Sequence, residues 1–231
     1  MRRIGDGLMA KQIEAIAARA RKKQAQHGEN MANAYLEHMR HLHKMEQEAW
    51  LEDESGIPPR IARMLITGEV DVDSWPCRSL RGALEAGNRL VGILGPPGTG
   101  KTIAGAWALY ARRCAIDERT LHDDMAPRPK AGLFVTAHRF TAIAPWDQID
   151  SRPANARFLV LDDIGREHRD KRGQIEELMF HRYDVDLPTI FTGNMTQDQL
   201  AATYDPRFLS RLGEIGTLVW AKKVLRKRKL Q

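Results

Sequence analysis

The sequence predicts an α/β protein whose core is a parallel β-sheet covered by helices on both faces. Three observations predict it. From residue 89 to residue 221, short apolar runs of strand length alternate with helical stretches. Those runs are apolar almost without a break, as strands buried on both faces must be. The first of them leads straight into a glycine-rich turn and then a helix, the local order of a phosphate loop.

A helical region is expected ahead of this core, over residues 1–54. It is rich in charge, Ala and Met and contains no proline. Helices are predicted over 8–27 and 30–53, with "HGEN" (27–30) interrupting them. In the second, Met31, Tyr35, Met39, Leu42, Met45 and Ala49 recur at three- and four-residue spacing, an apolar stripe of helical period. Such a stripe either seats in a partner's groove or packs internally. His38, His41 and His43 lie on the same helix. No cysteine or acid completes a metal set with them at proper spacing, so no metal is expected there. "SGIPPR" (55–60) then ends helical pattern, because two prolines cannot sit inside a helix. The domain boundary is placed there, which makes 55–221 the core and 222–231 a tail.

Within the core, "RLVGILG" (89–95) reads as the first strand and "KTIAGAWALYARRCA" (101–115) as the helix after the turn. "AGLFVTA" (131–137) and "ARFLVLDD" (156–163) read as strands, and "RGQIEELMFHRYD" (172–184) as a helix. "PTIFTGN" (188–194) is a strand, "TQDQLAATY" (196–204) a helix with Thr196 as N-cap, and "TLVWA" (217–221) a last strand.

Composition excludes some functions. The net charge of +6 is concentrated in the tail. Lys222, Lys223, Arg226, Lys227, Arg228 and Lys229 stand there without an acid, which leaves the rest of the chain neutral. The tail is either a contact for nucleic-acid phosphates or a solvated terminus. No apolar run approaches the ~18 residues of a membrane span, so no membrane association is expected. No apolar stretch follows Arg2 and Arg3, so no signal peptide is expected. Cys77 and Cys114 are the only cysteines and lack metal spacing, which points to a reducing, cytoplasmic setting. Phe140 and Trp146 are candidates for base stacking or for core packing.

The chemistry centres on Gly95, Pro96, Pro97, Gly98, Thr99, Gly100, Lys101 and Thr102, which fit the phosphate-loop pattern at every fixed position. The glycines let backbone N–H groups turn toward phosphates, and the following helix adds its positive dipole end. Lys101 reaches the β- and γ-phosphates, and Thr102 offers a hydroxyl to Mg²⁺. The expected ligand is ATP with Mg²⁺. Asp162 and Asp163 end the run "FLVLDD". Asp162 is the expected partner of Mg²⁺, and Asp163 the expected base for the attacking water. Asn194, at the tip of another strand, is placed to orient that water.

The series "SGIPPR … GPPGTGKT … FLVLDDIG … PTIFTGN … DPRFLSRL" resembles the AAA+ ATPases of the DnaC/IstB type over about residues 55–220. The resemblance is to the helicase-loader, DnaC-like branch rather than the IstB-like transposition helpers. It implies a P-loop AAA+ core with the Asn194 strand between the two Walker strands, and Asn194 as the sensor residue. It implies nucleotide sites shared between self-associated subunits, with an arginine finger at Arg211 or, second, Arg207. It implies as partners a replicative DNA helicase, held by the N-terminal helices, and single-stranded DNA. Asp163 stands where the family often has Glu, one methylene longer. A misplacement of ~1 Å can cost ~10²-fold in rate, so slow hydrolysis serving as a switch is expected. A full helical lid is not expected from residues 212–231. Two further readings stay open, a transposition helper and a nucleotide-dependent adaptor that does not hydrolyse ATP.

Overall fold

In a computed structural model the chain is described over residues 44–120, 132–142 and 152–221, with single helical positions between 22 and 42. It divides into two compact units, Met1–Glu46 and Gln47–Gln231. In the first, every described position is helical, including Glu29 inside the "HGEN" stretch expected to interrupt the helix. Of the apolar stripe, Met31, Leu42 and Met45 are exposed, while Tyr35 and Met39 lie outside the described residues. So do most of the predicted first helix, Trp146 and the basic tail.

The second unit opens with helix α1 over 47–53, followed by α2 (Pro59–Ile66), α3 (Trp75–Glu85) and β1 (Leu90–Leu94). Then come α4 (Lys101–Thr120), β2 (Leu133–Thr136), α5 (Ala137–Ala142), α6 (Arg152–Asn155) and β3 (Leu159–Ile164). A 3₁₀ turn (Arg169–Lys171), α7 (Arg172–Asp184), β4 (Thr189–Gly193), α8 (Gln197–Thr203), α9 (Pro206–Ile215) and β5 (Gly216–Trp220) complete it. The five strands form one sheet in the order β2-β3-β4-β1-β5, and all four pairings are parallel. β4 therefore lies between β1, which feeds the phosphate loop, and β3, which carries the acid pair, as expected.

Alternation along the strands sorts the core into two layers. Val91, Ile93, Val160 and Ile190 face one side, where they meet Leu65, Leu80, Ala104 and Leu109 from α2, α3 and α4. Leu90, Leu94, Leu159, Leu161 and Phe191 face the other and meet Ile175, Leu178, Leu200, Phe208 and Leu212 from α7, α8 and α9. Each Val, Leu, Ile or Phe among them contributes roughly 1.5–3 kcal/mol when fully buried. Strands with apolar residues on both faces show no alternation in sequence, which is why they read as continuous runs.

Several expectations need correction. The strand expected over 131–137 stops at Thr136, because Ala137 begins α5, and the helix from Lys101 continues to Thr120. α2 and α3 fall where the alternation of runs gives no signal. Each has proline in its first turn, where a missing N–H costs nothing. Phe140 is buried at the foot of α5, so it packs rather than stacks on bases. The core also begins before the prolines, since Trp50 and Leu51 of α1 are buried in it. Thr196 caps α8 as predicted and forms a reciprocal capping box with Gln199.

One buried charge holds the sheet's N-terminal edge. Arg182 of α7, 1% exposed, donates from Nε to Thr189 and from Nη2 to the Pro188 carbonyl. Its Nη1 donates to the carbonyls of Pro153, Ala154 and Ala156, the open end of α6. Among the described residues no carboxylate pairs with it, and burial pushes the guanidinium down to about 10.

Candidate functional site

The site is assembled at the C-terminal tips of β1, β3 and β4, where parallel strands hand over to helices. β1 is pinned between β4 and β5, and its last residue accepts a bond from Ala221 N, 2.7 Å from Leu94 O. The loop that follows bends through Gly98 (φ 82°) and Gly100 (φ 86°), left-handed conformations that a side chain would strain. α4 starts at Lys101, so its free N–H groups face the loop.

Lys101 is buried within this turn. Its Nζ donates to the carbonyls of Gly95 and Pro96, each at 2.8 Å, and to Asn194 Oδ1 at 2.9 Å. Burial lowers the ammonium's pKa, opposed by the charges of Asp163 and Asp162. Thr99 folds back on the loop, its hydroxyl 3.0 Å from the Pro96 carbonyl.

Asp162 is buried beside the start of α4. Thr102 Oγ1 donates to its Oδ2 at 3.3 Å, and Thr192 Oγ1 to its Oδ1 at 2.6 Å. Desolvation pushes the Asp162 carboxyl up, against the two hydroxyl bonds. The pairing of Thr102 with a desolvated carboxylate is the donor set a divalent cation takes: one hydroxyl, one carboxylate oxygen, and room for phosphate oxygens and water. A cation there would recover what the carboxylate loses by burial, so these residues fit Mg²⁺. The glycine turn, the helix start and Lys101 likewise fit a polyphosphate.

Asp163 stands apart from its neighbour in backbone and surroundings. Its φ is 62°, at an irregularity in the β3–β4 pairing between Leu161 and Ile164. The turn swings its side chain off the sheet edge, and its N–H is held by Thr192 Oγ1 at 3.0 Å. Asn194 Nδ2 donates to Oδ1 at 2.5 Å, and Arg166 Nη1 lies 3.4 Å from Oδ2. A continuous line thus runs from Lys101 through Asn194 to Asp163.

The structure brings together the loop residues, Asp162, Asp163 and Asn194, all named from sequence. It places Arg207 and Arg211 elsewhere, on α9. Arg207 is clasped by both oxygens of Asp205, at 3.2 and 3.1 Å. Arg211 lies between the rings of Phe180 (4.4 Å) and Tyr183 (4.6 Å), with Asp184 at 3.5 Å. Neither arginine bonds to the loop of its own chain among the described residues.

Sequence reasoning missed Thr192, Glu167 and Tyr204. Thr192 serves both aspartates, and its only sequence sign is a second hydroxyl, after Thr189, in a short apolar strand. Glu167, its side chain 0% exposed, accepts from Gly165 N at 2.8 Å and from the Tyr204 hydroxyl at 2.7 Å. It ties the turn after β3 to the junction of α8 and α9. Burial and the bond to Glu167 push the Tyr204 phenol well up.

No family profile and no curated protein matches this chain. Similar solved structures exist. A proposed primosome component of Streptococcus pyogenes serotype M3 is 16% identical over 75% of this chain and 93% of its own, with a TM-score of 0.50. The protein DnaI is 18% identical over 69% of this chain and 89% of its own, at 0.48. A DnaC helicase loader is 20% identical over 74% of this chain and 96% of its own, at 0.42. At such identities the likeness is one of fold, the α/β P-loop core with helices on both faces of a parallel sheet.

Proposed function

We propose that this chain is an ATP-dependent helicase loader of the DnaC/IstB-type AAA+ family, acting in the cytoplasm at replication initiation. The observation that carries the reading is the line Lys101–Asn194–Asp163 beside the Thr102–Asp162 pair. It unites a phosphate cradle, a metal carboxylate and a water-orienting amide on three neighbouring strands. Resemblance in "SGIPPR" and "DPRFLSRL" favours the loader branch over a transposition helper.

In this reading Lys101 leaves the Gly95 and Pro96 carbonyls to bind the β- and γ-phosphates. Thr102 and Asp162 hold Mg²⁺, which when bound neutralises charge developing on the transferred phosphoryl group. Asn194, released from Lys101, turns its amide to the lytic water. Asp163 Oδ1 or Oδ2 takes the proton from that water. Arg211 enters the neighbouring subunit's site as the finger, with Arg207 the alternative. To do so the Arg211 guanidinium leaves the Phe180 and Tyr183 rings, between which its Nη1 is buried without a hydrogen-bond partner among the described residues. The exposed Met31, Leu42 and Met45 serve as anchors for the helicase. Single-stranded DNA is the second partner, with the basic tail contributing to its capture.

The test mixes two inactive variants. Arg211→Ala and Asp163→Asn subunits, each hydrolysing little alone, regain activity together, because some interfaces then hold an intact arginine facing an intact aspartate. Full activity of Arg211→Ala alone removes it as the finger. Binding of ATP with no turnover under any partner or DNA leaves the adaptor reading. Co-purification with a replicative helicase decides between loader and transposition helper.

A further inference from the structure

We infer that the segment joining β3 to α7 is a phosphate-contacting surface for single-stranded nucleic acid, and that contact there releases Asp163. This rests on the ATPase reading above and adds to it a location and a trigger.

Arg166, His168 and Arg169 are exposed, and Lys171 is partly so, within eight residues of Asp163. The backbone beneath them is firmly held. Glu167 points inward between them, bonded to Gly165 N and Tyr204 and lying 3.9 Å from Arg172 Nε. The 3₁₀ turn Arg169–Lys171 then presents its side chains outward. A buried anchor with cations on either side makes a preset surface rather than a loose loop.

The surface extends to the next strand. Thr136 is in register with Asp162, so α5 begins beside the acid pair and carries His138 and Arg139, both exposed. Cations thus stand at the tips of two neighbouring strands, with imidazole rings and the single exposed acid Asp170 among them. Such cations suit a repeating phosphate backbone, and flat rings among them suit unstacked bases. An acidic peptide would use the cations and leave the rings idle, and a duplex would hide its bases.

Arg166 connects this surface to the chemistry. It is 71% exposed and reaches Asp163 Oδ2. A guanidinium on that oxygen occupies the position from which the carboxylate would accept a bond from the attacking water. Ion pairs this exposed are weak. A phosphate offers the guanidinium a bidentate partner of its own and draws it off. Among the described residues the Asp163 side chain then keeps its bond from Asn194.

The experiment uses the full chain and a fluorescent oligothymidylate. Arg166→Ala/Arg169→Ala/Lys171→Ala should weaken binding about tenfold and flatten the salt dependence by about 2, at roughly −0.7 per phosphate contact. Removing the same charge as Arg60→Ala/Arg63→Ala/Arg78→Ala, all exposed on α2 and α3, should change it less than twofold. Arg166→Ala alone should raise hydrolysis without DNA several-fold and abolish stimulation by DNA. Equal affinity and slope in the first variant overturn the location. Unchanged basal turnover with normal stimulation in Arg166→Ala overturns the trigger. Tighter binding of polyglutamate or duplex than of the oligonucleotide overturns the choice of partner. A wild-type protein that binds ATP but no single strand overturns the partner reading of the preceding section instead.

Discussion

Asp163 has a backbone reason to be aspartate. Its left-handed φ of 62° is a conformation that Asp and Asn tolerate better than longer side chains. Aspartate, one methylene shorter than Glu, therefore fits a turn that Glu would strain. We predict that Asp163→Glu lowers Tm and does not raise kcat, whereas Asp163→Asn folds at least as well as wild type and does not hydrolyse ATP. Calorimetry and single-turnover assays check both. Asp162 makes a different prediction. Burial raises its carboxyl pKa, so the fold favours the protonated form. Relative to Asp162→Asn, the nucleotide-free wild type is then equally stable below the carboxylate range and loses stability as pH rises through it. Above that range Asp162→Asn should melt a few degrees higher, as ~1 kcal/mol corresponds to about 2–4 °C in a chain of this size. Thermal melts from about pH 3 to pH 8 follow the divergence. At this scale the phosphate loop and both acids were legible, because their spacing is fixed by ligand chemistry. Thr192 and Glu167 were not, since each acts only through contacts that form when distant segments meet.

Arg182 shows how one residue can hold an element. The four-residue α6 is too short to be stable by itself. Its carbonyl end is closed by a guanidinium reaching from α7. Arg182→Met should leave those carbonyls and the Thr189 hydroxyl without their donor. At roughly 1–3 kcal/mol for each buried group left unpaired, the loss should be at least ~3 kcal/mol. Denaturant titration measures it, and Arg182→Lys should recover only part, lacking the forked donors. No periodicity announces such an element, so α6 was invisible in sequence. The start of α8 was legible to the residue, because Thr196 and Gln199 form a local cap whose partners are three apart. α2 and α3 carry their own start signal, a proline in the first turn, but without strands on either side it went unread.

Across the whole molecule, the boundary between the units lies before Trp50 and Leu51 rather than at the prolines. Deleting residues 1–46 should leave ATP affinity and Tm unchanged and abolish helicase capture. Deleting 1–54 removes two buried side chains and should cost several kcal/mol, about 2–5 for each large core residue lost. The sheet was legible as parallel and doubly covered, because apolar runs of strand length alternate with helices. The place of β4 between β1 and β3 followed from resemblance, as periodicity says nothing about which strands are neighbours. That order has a consequence in time. β1 is an early strand, yet both its neighbours, Thr189–Gly193 and Gly216–Trp220, come late in the chain. The wall behind Gly95 is Ala221, whose carbonyl a Cβ on that glycine would meet at 2.4 Å. On a translating ribosome the phosphate loop is therefore made long before anything can shape it. Nascent chains halted before β5 should be unable to capture ATP, so competence to bind nucleotide arrives late in synthesis, once the residues through Ala221 are free to dock.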